Sequence, residues 1–306
     1  MKVFVTGATG YIGGSVAVRL VEAGHEVSGL TRSPEKGEAL SRLGIEPVVG
    51  TLDDAPLLAD GAHRADAVVN AADSDHRGAV EALILALNGS GKRLLHSSGS
   101  SIVGDDARGD SLSERVFTED DLDPDASWEP APDKAARVAI DRVVRSASQK
   151  AGIQSTVICN TLVYGHGRGP GRDSVQIPAL VRQARASGVT RHVGAGRNVW
   201  STVHIDDVAD LYLRALEDAP AGSFYFAENG EASFSDITAA IARALGQAEP
   251  QPWDVESAIR EWGYEPAVFA LGSNSRVRST RARQDLGWAP AHDSVLDWID
   301  SGLTAE

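Results

Sequence analysis

Short apolar runs alternate with amphipathic segments along the first half of the chain. The runs typical of buried strands are 2–6, 26–30, 46–50, 67–70, 92–96 and 156–159. The segments between them that carry apolar residues at helical spacing are 15–23, 34–43, 78–88 and 131–150. Apolar strands separated by amphipathic helices favour a parallel sheet with helices on both faces. We therefore predict an α/β fold built on a doubly wound parallel sheet of about seven strands.

A glycine-rich turn joins the first predicted strand to the first predicted helix. Its sequence, Gly7-Ala8-Thr9-Gly10-Tyr11-Ile12-Gly13, has the spacing G-x-x-G-x-x-G. Glycines let the backbone approach a ligand, and a helix N-terminus offers free N–H groups and partial positive charge to phosphates. A strand, this turn and a helix predict a Rossmann-type site for a dinucleotide pyrophosphate. The candidate cofactor residues here are Gly7, Thr9, Gly10, Tyr11, Ile12 and Gly13.

The pattern loosens beyond residue 165. The stretch 165–172 is rich in glycine and arginine and predicts a loop. The segments that read as later helices are 177–188, 206–217, 234–245 and 254–262. We predict that residues 1–165 form the dinucleotide-binding Rossmann domain, to which segments around 190–215 return. Residues 166–306 then form a small, mostly helical C-terminal substrate region that acts as a lid over the strand ends.

The end of the second strand bears on the choice of cofactor. NAD sites of this type carry an acidic residue about 20 residues beyond the glycines, where it binds the ribose hydroxyls. Thr31 stands in that place and Arg32 follows it. Because a guanidinium pairs well with a 2′-phosphate, we expect NADP(H) in preference to NAD(H). The alternative is that Arg32 is a solvated surface charge.

Composition narrows the class of protein. The formal net charge of −14 argues against nucleic acid or an anionic membrane surface as a partner. No apolar run is long enough to span a bilayer. The single cysteine, Cys159, excludes an intrachain disulfide, and a cytoplasmic protein is the natural expectation. The eight histidines show no metal-ligand spacing, so we expect no metal site.

Further motifs occur together over almost the whole chain. They are Asp53 after the third strand, Asn70-Ala71-Ala72, Val163-Tyr164-Gly165, Val203-His204-Ile205-Asp206-Asp207 and Leu286-Gly287-Trp288-Ala289-Pro290. With the glycine-rich turn, these motifs resemble the extended, atypical short-chain dehydrogenase/reductases of the NAD(P)-dependent epimerase/dehydratase-like family. The residues that the resemblance places on the cofactor are Leu52, Asp53, Ala71, Ala72, Asn160 and Val163. It places Asp53 on the adenine amino group, although one of Asp53 and Asp54 also suits a helix N-cap. It further implies a homodimer formed through helices 78–88 and 131–150.

The catalytic residues of this family are a serine, a tyrosine and a lysine, and the chain departs from that set. The lysine is present as Lys134, but Pro130 occupies the position four residues earlier that belongs to the proton-donating tyrosine. The serine position falls on Gly99, next to Ser98 and Ser100. The candidate catalytic residues are therefore Lys134, Ser98 and Ser100, with Lys134 also on the nicotinamide ribose.

Three replacements for the tyrosine remain open. Lys134 is itself a possible acid or base, by analogy with the isoflavone-reductase-like enzymes. A residue of the loop after strand four, Asp73, Asp75 or His76, is a second source of the proton. The third alternative is a protein that binds NADP(H) without redox chemistry, as the NmrA-like regulators do.

A second departure concerns the substrate. The sugar-nucleotide enzymes of the family bind the substrate diphosphate through an arginine, and Trp200 takes its place here. A tryptophan face favours a neutral, apolar or aromatic substrate, whereas Trp200 packed in the core is the alternative. Further candidates for substrate contact are Asp73, His76, Tyr164 and His166. We predict an NADP(H)-dependent reductase of a small carbonyl, imine or enone. The alternatives are an NADP(H)-binding sensor and a sugar-nucleotide epimerase or dehydratase.

Overall fold

The computed structural model describes residues 1–303, and its elements follow the predicted alternation of strands and helices. The strands are β1 (Lys2–Thr6), β2 (Glu26–Thr31), β3 (Ile45–Val49), β4 (Ala67–Asn70), β5 (Arg93–Gly99), β6 (Phe117–Thr118), β7 (Gln154–Asn160), β8 (Leu162–Tyr164), β9 (Arg191–Val193), β10 (Val199–His204), β11 (Ser223–Ala227), β12 (Glu231–Ser233), β13 (Gln251–Trp253) and β14 (Val277–Arg278). The helices are α1 (Tyr11–Glu22), α2 (Pro34–Ser41), α3 (Ala55–Arg64), α4 (Arg77–Leu87), α5 (Ala135–Lys150), α6 (Gln176–Ser187), α7 (Ile205–Asp218), α8 (Phe234–Ala244), α9 (Val255–Trp262), α10 (Arg281–Leu286) and α11 (Val295–Gly302).

Seven parallel strands form the central sheet in the order β11-β7-β5-β4-β1-β2-β3. The predicted Rossmann-type doubly wound fold is thereby confirmed. Strand β1 pairs with β2 on one side and β4 on the other, so that Val3 lies between Val27 and Ala67. The chain reverses its direction of winding between β1 and β4. Ligands of such sheets bind where the strand order reverses, outside the carboxyl ends of the strands.

Helices cover both faces of this sheet because the strands are apolar on both sides. Helices α1 and α7 bury Val16, Leu20 and Leu211 against one face. Helices α3 and α4 bury Leu58 and Leu83 against the other face. Helix α7 covers the predicted helix 206–217 and packs beside α1 on the sheet face.

The rest of the C-terminal part packs around its own apolar cluster. This cluster is formed by α6, α8, α9 and α11 with the small sheet β12-β10-β8, and it contains Leu180, Trp200 and Ile241. Strand β8 follows the central strand β7 along the chain and pairs with β10, so that Thr202 lies opposite Leu162. The cluster therefore stands at the carboxyl ends of the central strands, where it can close a site.

Two boundaries matter for the site. Helix α1 begins at Tyr11, within the glycine-rich turn, rather than at residue 15. Helix α5 begins at Ala135 rather than at residue 131, and Lys134 is its N-cap residue.

The seventh strand β11 and helix α3 were not predicted from the sequence. Asp54 caps α3, its side chain accepting a hydrogen bond from the N–H of Leu57 at 3.1 Å.

Candidate functional site

The glycine-rich turn lies at the reversal point between β1 and β4. Gly7 has a φ of 72°, and a Cβ there would lie 2.5 Å from the carbonyl oxygen of Ala71 and 2.8 Å from the Cα of Ala72. Only glycine allows this approach of the two loops. Gly10 caps α1 with no side-chain hydrogen bond, so the first N–H groups of the helix keep no acceptor within it. This cradle fits the pyrophosphate of a dinucleotide.

A second glycine-rich loop, 165–172, packs on the first. A Cβ at Gly171 would lie 2.6 Å from the backbone nitrogen of Tyr11. The Tyr11 hydroxyl donates to the carbonyl of Gly165 at 2.8 Å, and burial raises the Tyr11 pKa well above its usual range. Tyr11 therefore ties the two loops together and is a poor substitute for the missing proton donor. Gly13 packs on the carbonyl of Gly7, while Thr9 is half-buried and Ile12 contacts the core.

The end of β2 presents Arg32 to solvent. Within residues 1–303, the Arg32 side chain makes no hydrogen bond or ion pair. The buried Thr31 hydroxyl donates to the carbonyl of Ser33 at 3.2 Å, and Ser33 caps α2. An unpaired guanidinium beside a helix N-terminus suits an added phosphate on the ribose.

Asp53 and His76 meet at the side of the site where the resemblance places adenine. His76 caps α4, its Nδ1 accepting from the N–H of Ala79 at 3.0 Å. The proton must then be on Nε2, which lies 3.1 Å from an Asp53 carboxylate oxygen. Asp53 is largely exposed, and Leu52 packs partly against the core beneath it. His76 thus fixes a helix end and the Asp53 loop, and Asp73 accepts from the backbone of Asp75 in the same loop.

The serines around Gly99 are already engaged. Ser98 donates to Asp141 at 2.7 Å, and Ser100 lies 2.8 Å from the Ser275 hydroxyl, with both serines buried. The next serine, Ser101, lines a cavity instead, and accepts from Arg137 at 2.9 Å. The catalytic role assigned to Ser98 and Ser100 stays a prediction, and their contacts give them a structural one.

The cavity lies between the start of α5 and the C-terminal cluster. Its volume is about 610 Å³. Lys134 enters it with its Nζ 3.0 Å from Asp133 and 3.3 Å from the centre of the Phe269 ring. The lining combines these polar groups with apolar and aromatic ones, among them Ile140, Val175, Trp200, Pro266 and Phe269. Such a cavity suits a small, largely apolar molecule held by a few polar groups.

Arg137 is a cavity residue that the sequence pattern missed. It lies one helical turn beyond Lys134, and its Nε donates to Asp75 at 2.7 Å while its Nη2 pairs with the second Asp75 oxygen. The hydrogen bonds from Arg137 hold the pKa of Asp75 below its usual range. The ion pair joins α5 to the loop after β4. Only the order of strands brings the two residues together, since 62 positions separate them.

Under the site, a chain of buried polar groups crosses the sheet. Thr6 donates to Asn70 at 2.6 Å, and Asn70 donates to His96 Nδ1 at 3.0 Å. His96 Nε2 faces Asp141 at 3.8 Å. Burial lowers the pKa of His96 to about 4 and raises that of Asp141 to about 7, although the hydrogen bond from Ser98 opposes the second effect. Neither group reaches the cavity lining, and both act on the stability of the strand ends.

The remaining predicted residues are spread around the cavity and the second glycine-rich loop. Asn160 donates to the carbonyl of Ser98 at 3.2 Å, and Val163 is buried in the core next to it. The buried Tyr164 donates to the carbonyl of His292 at 3.1 Å, and the exposed His166 contacts Trp298. Trp200 is 5% exposed and donates to the carbonyl of Ser273. Its ring is both part of the C-terminal cluster and a wall of the cavity.

A group with metal-binding side chains occurs elsewhere. In the part of the chain that the structure describes, His204, Asp206 and His292 offer ligand atoms within 4.8 Å of one another. The rings of His204 and His292 are stacked, with their centres 3.9 Å apart and 21° between their planes. One ion cannot lie in the planes of two stacked rings, so this arrangement is not that of a preformed site.

The family follows from a comparison with known families. The model of the NAD dependent epimerase/dehydratase family matches residues 3–226. The chain belongs to this family. It is of the extended short-chain dehydrogenase/reductase type, and its cofactor is a nicotinamide dinucleotide.

Similar proteins match over nearly the whole length. An oxidase named ucsJ from an Acremonium species is 34% identical over 336 residues, which cover 98% of this chain and 95% of that protein. A 4-hydroxy-2-methyl-3-oxo-4-farnesyl-3,4-dihydroquinoline-1-oxide ketoreductase of Stigmatella aurantiaca is 26% identical, with 97% of this chain and 95% of that protein covered. An oxidase and a ketoreductase thus match this chain over nearly its whole length, which supports a generic oxidoreductase.

Solved structures agree with the fold. A UDP-glucose 4-epimerase of Thermotoga maritima with UDP-glucose has a TM-score of 0.76 at 20% identity, covering 99% of this chain and 97% of that one. A dTDP-glucose 4,6-dehydratase of Bacillus anthracis in complex with NAD has a TM-score of 0.75 at 16% identity, covering 100% and 94%. Among residues 1–303, no helix has the length and apolarity that a bilayer span requires.

Proposed function

We propose that this protein is an NADP(H)-dependent reductase of a small apolar or aromatic carbonyl, imine or enone. The observation that carries the proposal is the cavity between the start of α5 and the C-terminal cluster, in which Lys134 and Arg137 face aromatic and aliphatic walls. Its cations each have an acidic partner, Asp133 and Asp75, so the cavity lacks the surplus of positive charge that a diphosphate needs.

The sugar-nucleotide alternative receives less support. The arginines nearest to a second diphosphate position are engaged, since Arg276 and Arg278 both pair with Glu231, at 2.9 and 3.2 Å. Trp200 presents an apolar ring where a diphosphate needs a cation. A diphosphate has two negative groups to neutralise, so this surface fits a neutral substrate better.

The preference for NADP(H) rests on Arg32. Its exposed guanidinium has no described partner, and no carboxylate stands at Thr31 to repel a ribose phosphate. Arg32 can form a charge-assisted, bidentate pair with the 2′-phosphate. An uncharged residue at this position could not.

Lys134 is the proposed proton donor. The bound nicotinamide would supply the hydride that the carbonyl carbon receives. As the electron pair of the C=O π bond moves to oxygen, Nζ of Lys134 gives that oxygen a proton, and one hydronium ion from bulk solvent then restores the proton on Nζ. The side chain of Lys134 is 11% exposed, so it is both shielded and reachable from the cavity. The ring of Phe269 beneath Nζ holds the cation in place.

The first experiment is NADPH oxidation against aromatic and aliphatic ketones, enones and cyclic imines, beside a direct NADPH titration. We expect NADPH binding with turnover of an aromatic ketone or enone, and a loss of about 100-fold in kcat for Lys134→Ala. Lys150→Ala, at the far end of the same helix, is the control. NADPH binding without turnover across the panel would favour an NADP(H)-binding sensor, and turnover of UDP-glucose would favour the epimerase.

We also propose a homodimer through α4 and α5. The resemblance places the contact on these two helices, and Leu85 of α4 is 76% exposed, so a partner subunit packed there would remove it from water. Light scattering of the wild type and of Leu85→Glu tests this assembly: a dimer that becomes a monomer in the variant is the expected result.

A further inference from the structure

Arg137 is held in a fixed orientation at the floor of the cavity. Asp75 accepts from its Nε and Nη2, and Ser101 accepts from its Nη1 at 2.9 Å. These contacts come from the loop after β4 and from the segment after β5, so two elements of the main sheet fix the guanidinium plane. The side chain nevertheless remains 29% exposed, towards the cavity.

Two N–H groups of the Arg137 guanidinium have no hydrogen-bond partner among residues 1–303. A guanidinium has five N–H groups, and the three bonds to Asp75 and Ser101 leave one on Nη1 and one on Nη2 without an acceptor in residues 1–303. Each terminal nitrogen of the guanidinium therefore keeps one donor for an oxygen atom of a ligand in the cavity.

Gly99 lies beside the Arg137 guanidinium. A Cβ at Gly99 would lie 3.8 Å from Nη1 of Arg137 and 4.0 Å from the Ser101 hydroxyl, which is van der Waals contact with both. The position to which the resemblance assigns a catalytic serine is therefore empty of side chain, and Arg137 supplies hydrogen-bond donors beside it.

We propose that Arg137 binds the carbonyl oxygen of the substrate through its two free N–H groups, in place of the missing serine and tyrosine. This rests on the proposed reductase function and narrows its substrate to a ketone or enone. A protonated imine is a cation and would be repelled by the guanidinium, which stays charged at any working pH. Negative charge that develops on the carbonyl oxygen during reduction is stabilised by a cation already fixed in place.

The test is a binding experiment that needs no turnover. The probe is 2-naphthoate, a flat aromatic carboxylate whose oxygen stands in for the reduced carbonyl oxygen, titrated calorimetrically into the protein saturated with NADP⁺. We expect binding by the wild type, and weakening by about tenfold or more in both Arg137→Ala and Arg137→Lys, since a lysine keeps the charge and loses the fork. Arg142→Ala is the control, because Arg142 lies on the same helix and pairs with Glu129 outside the cavity.

The outcomes separate the proposals. Equal naphthoate affinity in the wild type and both Arg137 variants, or no binding to the wild type, overturns the role of Arg137. Thermal unfolding identifies a variant that fails to fold, and Arg137→Lys, which keeps a cation beside Asp75, then decides. Binding that depends on Arg137 in a protein that reduces no carbonyl supports this inference while the proposed function fails. Where the wild type does reduce a ketone, Arg137→Lys lowers kcat more than it raises KM.

Discussion

The glycine-rich turn and the Lys134–Arg137 cavity lie at the same end of the sheet, yet they are built in different ways. The turn consists of backbone groups from a single segment, and its glycines are required by contacts with the loop after β4. The cavity consists of side chains from α5, the loop after β4 and the C-terminal cluster. A site made of backbone tolerates few substitutions, whereas a site made of side chains can exchange its chemistry while the fold stays the same.

The strongest test of this contrast is Gly7→Ala. Its φ of 72° and the 2.5 Å between a Cβ and the Ala71 carbonyl oxygen leave no room for a methyl group next to rigid backbone. We expect the free energy of unfolding to fall by about 3 kcal/mol or more and NADPH binding to be lost. Thermal unfolding and an NADPH titration measure the two effects.

Gly24→Ala is the matched control for that variant. Gly24 has a φ of 85°, but a Cβ there would meet no atom within 4 Å. Only the cost of a left-handed backbone remains, about 1–2 kcal/mol. If both variants lost the same stability and kept NADPH binding, the close approach of the two loops would have no functional meaning.

The same contrast explains what could be predicted from the sequence. Strands β1 and β4 were predicted to the residue, and the glycine-rich turn was placed correctly. Each of them is formed by one continuous segment of the chain, so its pattern can be seen in the sequence. Arg137 and Asp75 carry no local signal, since the pair exists only after the sheet brings α5 against the loop after β4. Strand β11 was missed for a similar reason: Ser223–Ala227 is a short run whose partner, β7, lies far earlier in the chain.

Arg32→Asp tests the position at which we expect the 2′-phosphate of the cofactor to bind. A carboxylate there would repel a 2′-phosphate and offer an acceptor to a ribose hydroxyl. We expect NADPH affinity to fall and NADH affinity to rise, changing their ratio by about 10- to 100-fold. Arg42→Asp, an exposed arginine just after α2, controls for net charge. An unchanged ratio in Arg32→Asp would show that Arg32 is a surface charge and nothing more.

Asp141→Asn examines the polar chain beneath both regions. Burial raises the pKa of Asp141 to about 7, so the folded state holds its proton more tightly than the unfolded state does. That contribution to stability is complete below about pH 4 and is lost as the pH rises through 7. We expect Asp141→Asn, which cannot ionise, to gain about 1–3 kcal/mol relative to the wild type between pH 4.5 and 8.

Urea unfolding at the two pH values measures this difference. His96, with its pKa lowered to about 4, contributes a slope of the opposite sign between pH 6.5 and 4, and the charges that act on it, Asp75 and Arg137, are unchanged in the variant. The charged groups that act on Asp141, namely Arg137, Arg145 and Asp75, are unchanged as well. A difference independent of pH would mean that Asp141 is ionised throughout in the folded state.

His76→Ala is the smallest change and separates a structural role from a substrate role. His76 caps α4 through Ala79 and hydrogen-bonds Asp53, and it is not among the residues that line the cavity. Loss of the cap should lower the free energy of unfolding by about 1 kcal/mol. His63→Ala, an exposed histidine in the last turn of α3, should change it by less than about 0.5 kcal/mol. Because His76 caps a helix and does not line the cavity, the kcat of His76→Ala should stay within about threefold of the wild type. A larger fall in kcat at unchanged stability would indicate that the proton donor is His76, in the loop after β4. His76 would then count among the side chains that carry the chemistry, beside those of the cavity.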